Sequence, residues 1–205
     1  EYYNQFKKDW KKYLNIIRVS AIDKNNCKLS GKECCKKSHL DLMKKLIFEI
    51  DDNNNFFIIA EDDAYPTDAF EKHWNNIREF AQNDSEYDII HLDIFLNFNK
   101  KINRIDRYNE TFLSYKKGRN TGFIIYSKRF LKDWVTSRDF AEHYKSLNEP
   151  LDMSLLWNGN LIKLTCKELT VRQYTNKISE VTGDRHYLQN YDEWYEETKK
   201  ILTLK

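Results

Sequence analysis

Three consecutive carboxylates, Glu61, Asp62 and Asp63, directly follow the apolar run Phe56-Phe-Ile-Ile-Ala60. Like charges on adjacent residues repel, so the triplet is costly unless a cation or a set of donors neutralises it. The five residues before it, aromatic, β-branched and small, have the character of a strand buried on both faces. Ligands of open α/β sheets bind beyond the carboxyl ends of strands, which is where the triplet falls. Alternation along an extended chain points Glu61 and Asp63 one way and Asp62 the other. Glu61 and Asp63 are therefore the pair expected to hold a divalent metal. Pro66 ends the extended run, and Thr67 has the type and position of an N-cap for a helix over Asp68–Ala81. The alternative is an acidic turn that only caps this helix.

Other elements must position these groups. Tyr2, Tyr3, Phe6, Trp10 and Tyr13 recur at three- and four-residue steps and predict an amphipathic first helix. Ile16–Ile22 is expected as a strand, with Asp23, Asn25 and Asn26 in the turn after it. Ser30 and Glu33 have capping-box spacing, predicting a helix over Gly31–Glu49 with Cys35, His39, Leu42, Met43, Leu46 and Ile47 inward. His39 on that face is expected to be a hydrogen-bonded core histidine. Tyr87–Leu92 is a second buried strand that delivers Asp93 at its end. Lys100–Glu110 is expected as a long loop or short hairpin. Strands over Phe112–Tyr115 and Gly122–Tyr126 flank the turn at 118–121, and Ser127 caps a helix to Thr136. Pro150-Leu-Asp152 opens a helix, Leu161–Thr165 and Leu169–Gln173 are short strands, and Asp192–Ile201 is a closing helix. Helices alternating with strands define a mixed α/β domain.

At 205 residues the chain suits one domain, 1–205, with a substantial core. Its net charge of +2 lacks the basic excess of a nucleic-acid binder. Four cysteines, with Cys34 and Cys35 adjacent, match no zinc or disulfide spacing and are expected as reduced thiols. No apolar stretch reaches the ~20 residues of a membrane span, and no secretion signal is present. The expected setting is cytoplasmic, or lumenal if the amino terminus is trimmed; oligomeric state is not legible.

Two other classes compete with an enzyme. A receiver-type phosphoacceptor domain also carries acidic residues after a strand, but its acidic pair lies on the first strand. Here some 60 residues precede the triplet, and only one helix separates Asp63 from Asp93. In a non-catalytic cation- or sugar-binding module the acidic cluster would be structural. Against that stands the number of polar groups at strand ends, Asp23, Glu61 to Asp63, Asp93, Asn120, Asp152 and Gln173, expected to converge on one rim of a parallel sheet.

The same residues resemble a family. Arg18-Val-Ser-Ala-Ile-Asp23, Leu29-Ser-Gly-Lys-Glu33 with Ser38-His39-Leu40, Ile59-Ala-Glu-Asp-Asp63, Thr121-Gly122-Phe-Ile-Ile, Pro150-Leu-Asp152 and Val171-Arg-Gln173 occur in the order of the motifs of glycosyltransferase family 25. That family contains lipooligosaccharide sugar transferases and procollagen galactosyltransferases. Its members begin with a strand carrying an Ile-Asn-Leu-type element, whereas this chain starts at or inside the first helix.

The resemblance implies a GT-A-like nucleotide-diphospho-sugar transferase fold, with a mixed, mainly parallel sheet flanked by helices. It implies transfer of a hexose from a UDP-sugar to a hydroxyl of a glycan, or of a hydroxylysine-linked sugar on a collagen-like glycoprotein. Mn²⁺ or another divalent cation is the implied cofactor, in keeping with the charge on a diphosphate leaving group and the oxygen preference of hard cations. Asp63 is the first expected ligand, Glu61 the second, and Gln173 a late third, with His186 its competitor. Asp152 is the expected general base, the alternative being a carboxylate that complements a helix dipole. Arg18, Asp23 and Ser38 are assigned to the nucleotide side of the pocket, with Asp62, Asn120 and Thr121 as further substrate contacts. Tyr65, Trp157 and Tyr174 are expected to line the sugar pocket.

Overall fold

The computed structural model describes residues 2–23, 25, 28–49, 53–83, 86–96, 104–156, 158–174 and 185–203, without the side chains of 152–154 and 185–190. In chain order its elements are α1 (Tyr2–Trp10), α2 (Gly31–Phe48), β1 (Phe56–Ala60), β2 (Ala64–Pro66), α3 (Asp68–Asn83), β3 (Ile89–His91), β4 (Ile105–Arg107), β5 (Phe112–Tyr115) and β6 (Phe123–Ser127). They continue with α4 (Lys128–Val135), α5 (Arg138–Lys145), α6 (Leu151–Leu156), β7 (Lys163–Cys166), β8 (Val171–Gln173) and α7 (Arg185–Thr203).

Six strands form one mixed sheet in the order β1-β6-β3-β7-β5-β4, and β2 pairs with β8 in a small second sheet. Only β3 and β7 pair in parallel; the other four neighbour pairs of the large sheet are antiparallel. The expectation of a mainly parallel sheet is thus corrected. β6 lies between β1 and β3 and runs against both, so β1, β3 and β7 still end at the same rim. An all-parallel receiver-type sheet is excluded by the same pairing.

Side-chain alternation divides the core into two layers. Phe56, Ile58, Ala60, Ile90, Phe123 and Ile125 pack with Phe6, Trp10, Phe70, Trp74 and Ile77 of α1 and α3. Phe57, Ile59, Ile89, Ile124 and Tyr126 pack on the other face with Leu40, Met43 and Leu46 of α2 and with α4, α5 and α6. A third group, including Leu113, Tyr115, Ile94 and Leu202, seats α7 against β5.

Local chemistry explains most element boundaries. Ser30 and Glu33 form the expected capping box, with Ser30 Oγ accepting from the Glu33 amide and Glu33 Oε2 accepting from the Ser30 amide at 2.7 Å. The buried face of α2 is Cys34, Lys36, His39, Leu40, Met43 and Leu46, rotated from the expected stripe, with Cys35, Leu42 and Ile47 only half-buried. Ser127 caps α4 as predicted, accepting from the Phe130 amide at 3.1 Å. Thr67 differs from expectation: its hydroxyl donates to the Leu169 and Thr170 carbonyls, and its carbonyl receives the Phe70 amide. It ties the start of α3 to the approach to β8. Residues 16–22 form no strand, and Ile17 and Val19 are exposed.

No described helix is long and apolar enough to cross a membrane. Cys34, Cys35 and Cys166 are free thiols, and Cys27 lies outside the described residues.

Trp10 joins α1 to the acidic segment. It is fully buried, stacks on Phe123 at 4.5 Å, and donates from Nε1 to the Ala64 carbonyl at 2.8 Å. Trp10→Ala removes this packing and leaves a buried carbonyl without its donor. A loss of about 3–5 kcal/mol in urea-unfolding free energy is expected.

Candidate active site

Residues 61–64 make a tight turn in which the Ala64 amide donates to the Glu61 carbonyl at 3.2 Å. Asp62 is exposed in this turn, while Glu61 and Asp63 are half-buried. The rim is closed by backbone bonds from the Glu61 amide to Gly122 O (2.8 Å), from the Leu92 amide to Phe123 O (3.2 Å) and from the Tyr174 amide to Asp63 O (2.8 Å). Asp93, missed as a named site residue although placed at a strand end, becomes the third buried carboxylate there, 2% exposed.

Each carboxylate meets a different environment. Glu61 Oε1 lies 3.5 Å from His39 Nε2 and accepts from Thr121 Oγ1 at 2.9 Å. Burial opposes ionisation of both groups; Cys35 and then Glu61 outweigh it at His39, holding the imidazolium above its ordinary value, and His39, with Thr121, outweighs it at Glu61, holding that acid below. Asp93 Oδ1 contacts His91 Nε2 at 3.0 Å, and its Oδ2 accepts from Asn120 Nδ2 at 2.9 Å. Burial still pushes the Asp93 acid up, with His91 pulling against it. His91 continues to Tyr115, whose hydroxyl lies 3.3 Å from Nδ1. Asp63 has only a backbone hydrogen bond to favour its charged form, and its Oδ1 is buried without a hydrogen-bond partner. Burial first, then the charges of Glu61, Asp62 and Asp93, push its acid up to about 8.

Two backbone features make room for this cluster. A Cβ on Gly122 would stand 2.2 Å from Asp93 Oδ2 and 2.3 Å from Gln173 Nε2, so only glycine fits between them. Asn120 holds φ at 85°, a left-handed conformation uncommon for a side-chain-bearing residue, and in it spans to Asp93. Both lie in the 118–122 turn between strands.

The rim thus brings together Glu61, Asp63, Asn120, Thr121 and Gln173 of the expected set, joined by Asp93 and His39. Gln173 sits opposite Ala64 in the β2–β8 pair, and its amide donates to Tyr191 Oη at 2.8 Å. Tyr65 and Tyr174 stack beside it with centroids 4.4 Å apart. The residues expected on the nucleotide side make contacts of their own. The Arg18 guanidinium covers the Tyr3 ring at 4.5 Å, and Asp23 accepts from the Asn25 amide at 2.8 Å. Ser38 accepts from the Ile22 amide and donates to the Cys34 carbonyl, fastening the 14–22 segment to α2. Asp152 lies in the first turn of α6 and His186 in that of α7, but both side chains, like all of Trp157, lie outside the described residues.

The acidic residues do not converge as a three-carboxylate cage. Among the described residues, the group whose ligand atoms all lie within 4.8 Å of one another is Cys35, His39 and Glu61. His39 was expected as a core histidine and Cys35 as an inward thiol; their four-residue separation was the signal available in the sequence. No protein-family model matches the chain, and no curated protein sequence matches it.

The Asp63 environment has a definite pH signature in the metal-free protein. The unfolded chain loses the Asp63 proton near 3.8, whereas the folded chain retains it to about 8. Its contribution to stability is therefore full below pH 3.8 and disappears as the pH rises through about 8. Asp63→Asn should match the parent at the acid end of this window and exceed its stability above about pH 8, as urea titrations across the window will measure.

Proposed function

We propose that the chain is a metal-dependent glycosyltransferase of GT-A type, moving a hexose from a UDP-sugar to a hydroxyl of a glycan or of a hydroxylysine-linked, collagen-like acceptor. The observation that carries this reading is the buried, unpartnered Asp63 Oδ1 among Glu61, Asp62 and Asp93. A hard cation needs only one or two carboxylates when phosphate oxygens complete its shell, so this oxygen and the neighbouring Gln173 amide fit such an ion without a full protein cage. Mn²⁺ or a similar ion, held by Asp63 with Glu61 and Gln173 at its margin, would supply the positive charge that a diphosphate leaving group requires.

The chain's own residues supply the rest. Thr121 and His39 hold Glu61 in its ionised form without a metal, so this carboxylate is available before the cation arrives. The stacked Tyr65 and Tyr174 rings present apolar faces beside the rim, suited to a sugar ring. Asp152 is assigned the acceptor proton because it lies in a different block of the chain from the acidic turn, in the first turn of α6.

UDP is expected to bind with Mn²⁺ and to lose that binding in chelator, with Asp63→Ala abolishing the metal-dependent part while the protein stays folded. Titration calorimetry gives the answer; equal UDP affinity with and without metal is incompatible with this function. Asp152→Asn should leave UDP and metal affinity unchanged but lower kcat by ~10²-fold or more, the usual contribution of a positioned base. A parental rate in that variant removes Asp152 from the mechanism.

A further inference from the structure

Cys35 and His39, four residues apart, lie one above the other on α2, and Glu61 at the end of β1 meets them. The His39 side chain is 9% exposed, and its two nitrogens are in unequal situations. Nε2 faces Glu61 Oε1 at 3.5 Å, whereas Nδ1 is buried with no hydrogen-bond partner. The Cys35 thiol also acts on this imidazole, so a sulfur, a ring nitrogen and a carboxylate oxygen meet at one point.

We propose that Cys35, His39 and Glu61 form a binding site for a Zn²⁺-class divalent ion, bridging α2 to the end of β1 and separate from the position at Asp63. The donor set decides the class of ion. A thiolate and an imidazole select Zn²⁺, Co²⁺ or Cd²⁺ over Mn²⁺ and Mg²⁺, which prefer oxygen alone. Tetrahedral zinc places its ligand atoms roughly 3.3–3.7 Å apart, given Zn–N and Zn–S bonds of about 2.0–2.3 Å. The 3.5 Å between His39 and Glu61 already meets that spacing. The widest separation in the group, within 4.8 Å, closes by about an ångström through the torsions of the half-buried Cys35 and Glu61 side chains.

Support around the ligands is also present. Thr121 Oγ1 donates to Glu61 Oε1 at 2.9 Å, fixing the carboxylate as outer hydrogen bonds fix metal ligands elsewhere. Three protein ligands leave a fourth position for water or a substrate oxygen, which distinguishes the site from a closed structural zinc centre. The inference rests on α2 and β1 alone and does not require the transferase reading.

Co²⁺ is the probe, because coordination by a thiolate gives a charge-transfer absorption that oxygen ligation does not. The parent protein should take up one equivalent of Co²⁺ with this band, and excess Zn²⁺ should abolish it. Cys35→Ser should lose the band, whereas Asp63→Ala should keep it, which separates this site from the proposed nucleotide-metal position. Retention of the band in Cys35→Ser, or its loss in Asp63→Ala alone, overturns the proposal. A second measurement needs no variant: Zn²⁺ should slow iodoacetamide labelling of Cys35, mapped by peptide mass spectrometry, while Mn²⁺ should not. Labelling of Cys35 at the same rate with and without Zn²⁺ refutes the site even if every variant fails to fold.

Discussion

Three carboxylates carried to one buried rim are the constraint on which the surrounding architecture turns. The chain answers the charge of Glu61 with His39 and Thr121, and that of Asp93 with His91 and Asn120. Each answer draws on a different element: α2 for His39, β3 for His91, and the 118–122 turn for Asn120 and Thr121. Asp63 Oδ1 is met by neither cation nor donor, and the group holds its proton. Burial without a partner is expensive for an ionised carboxylate and much less so for a neutral acid. The metal-free rim is therefore strained in charge at one atom, and the rest of it is balanced.

That balance depends on backbone positions far apart in the chain. Trp10 from α1 hydrogen-bonds Ala64 immediately after the acidic turn, and the Tyr174 amide holds the Asp63 carbonyl from β8. Gly122 lets Asp93 and Gln173 approach from β3 and β8 to within one Cβ of each other. The turn can hold Asp63 in place because three separate elements grip its backbone, leaving the side chain without a required role in folding.

Local signals in the sequence were legible wherever neighbouring residues decide the outcome. The apolar run gives β1 at Phe56–Ala60, and the Ser30–Glu33 box starts α2 where its spacing requires. Sheet direction was not legible, because pairing is settled by distant strands: the buried runs of β3 and β6 look alike whether they pair parallel or antiparallel. Ile16–Ile22 has strand composition but finds no partner, and its amide at Ile22 goes to a serine hydroxyl on α2 instead. Helix α5 escaped notice because its eight residues bury only Phe140, too little for a periodic pattern. In the site, Glu61, Asp63, Asn120, Thr121 and Gln173 could be named from strand ends. The pairings of His39 with Glu61 and of His91 with Asp93 could not, since the first spans two elements and the second lies hidden inside an apolar strand.

The rim also separates two kinds of donor through a single residue. On the α2 side of Glu61 stand sulfur and nitrogen, from Cys35 and His39, whereas Asp63 lies in the field of the Asp93 carboxylate. Soft and hard cations sort themselves by such donors even where their charges are equal. Glu61 belongs to the first group by contact, through 3.5 Å to His39, and to the second by field, as the charge that acts most strongly on Asp63. A cation bound beside Glu61 offsets its charge and so weakens the repulsion that keeps Asp63 protonated. Conversely, a cation at Asp63 draws the Glu61 carboxylate toward itself and away from His39. Two ions at the proposed positions would be coupled through this one carboxylate, and by linkage any free energy that the first lends to or takes from the second would be returned in equal measure.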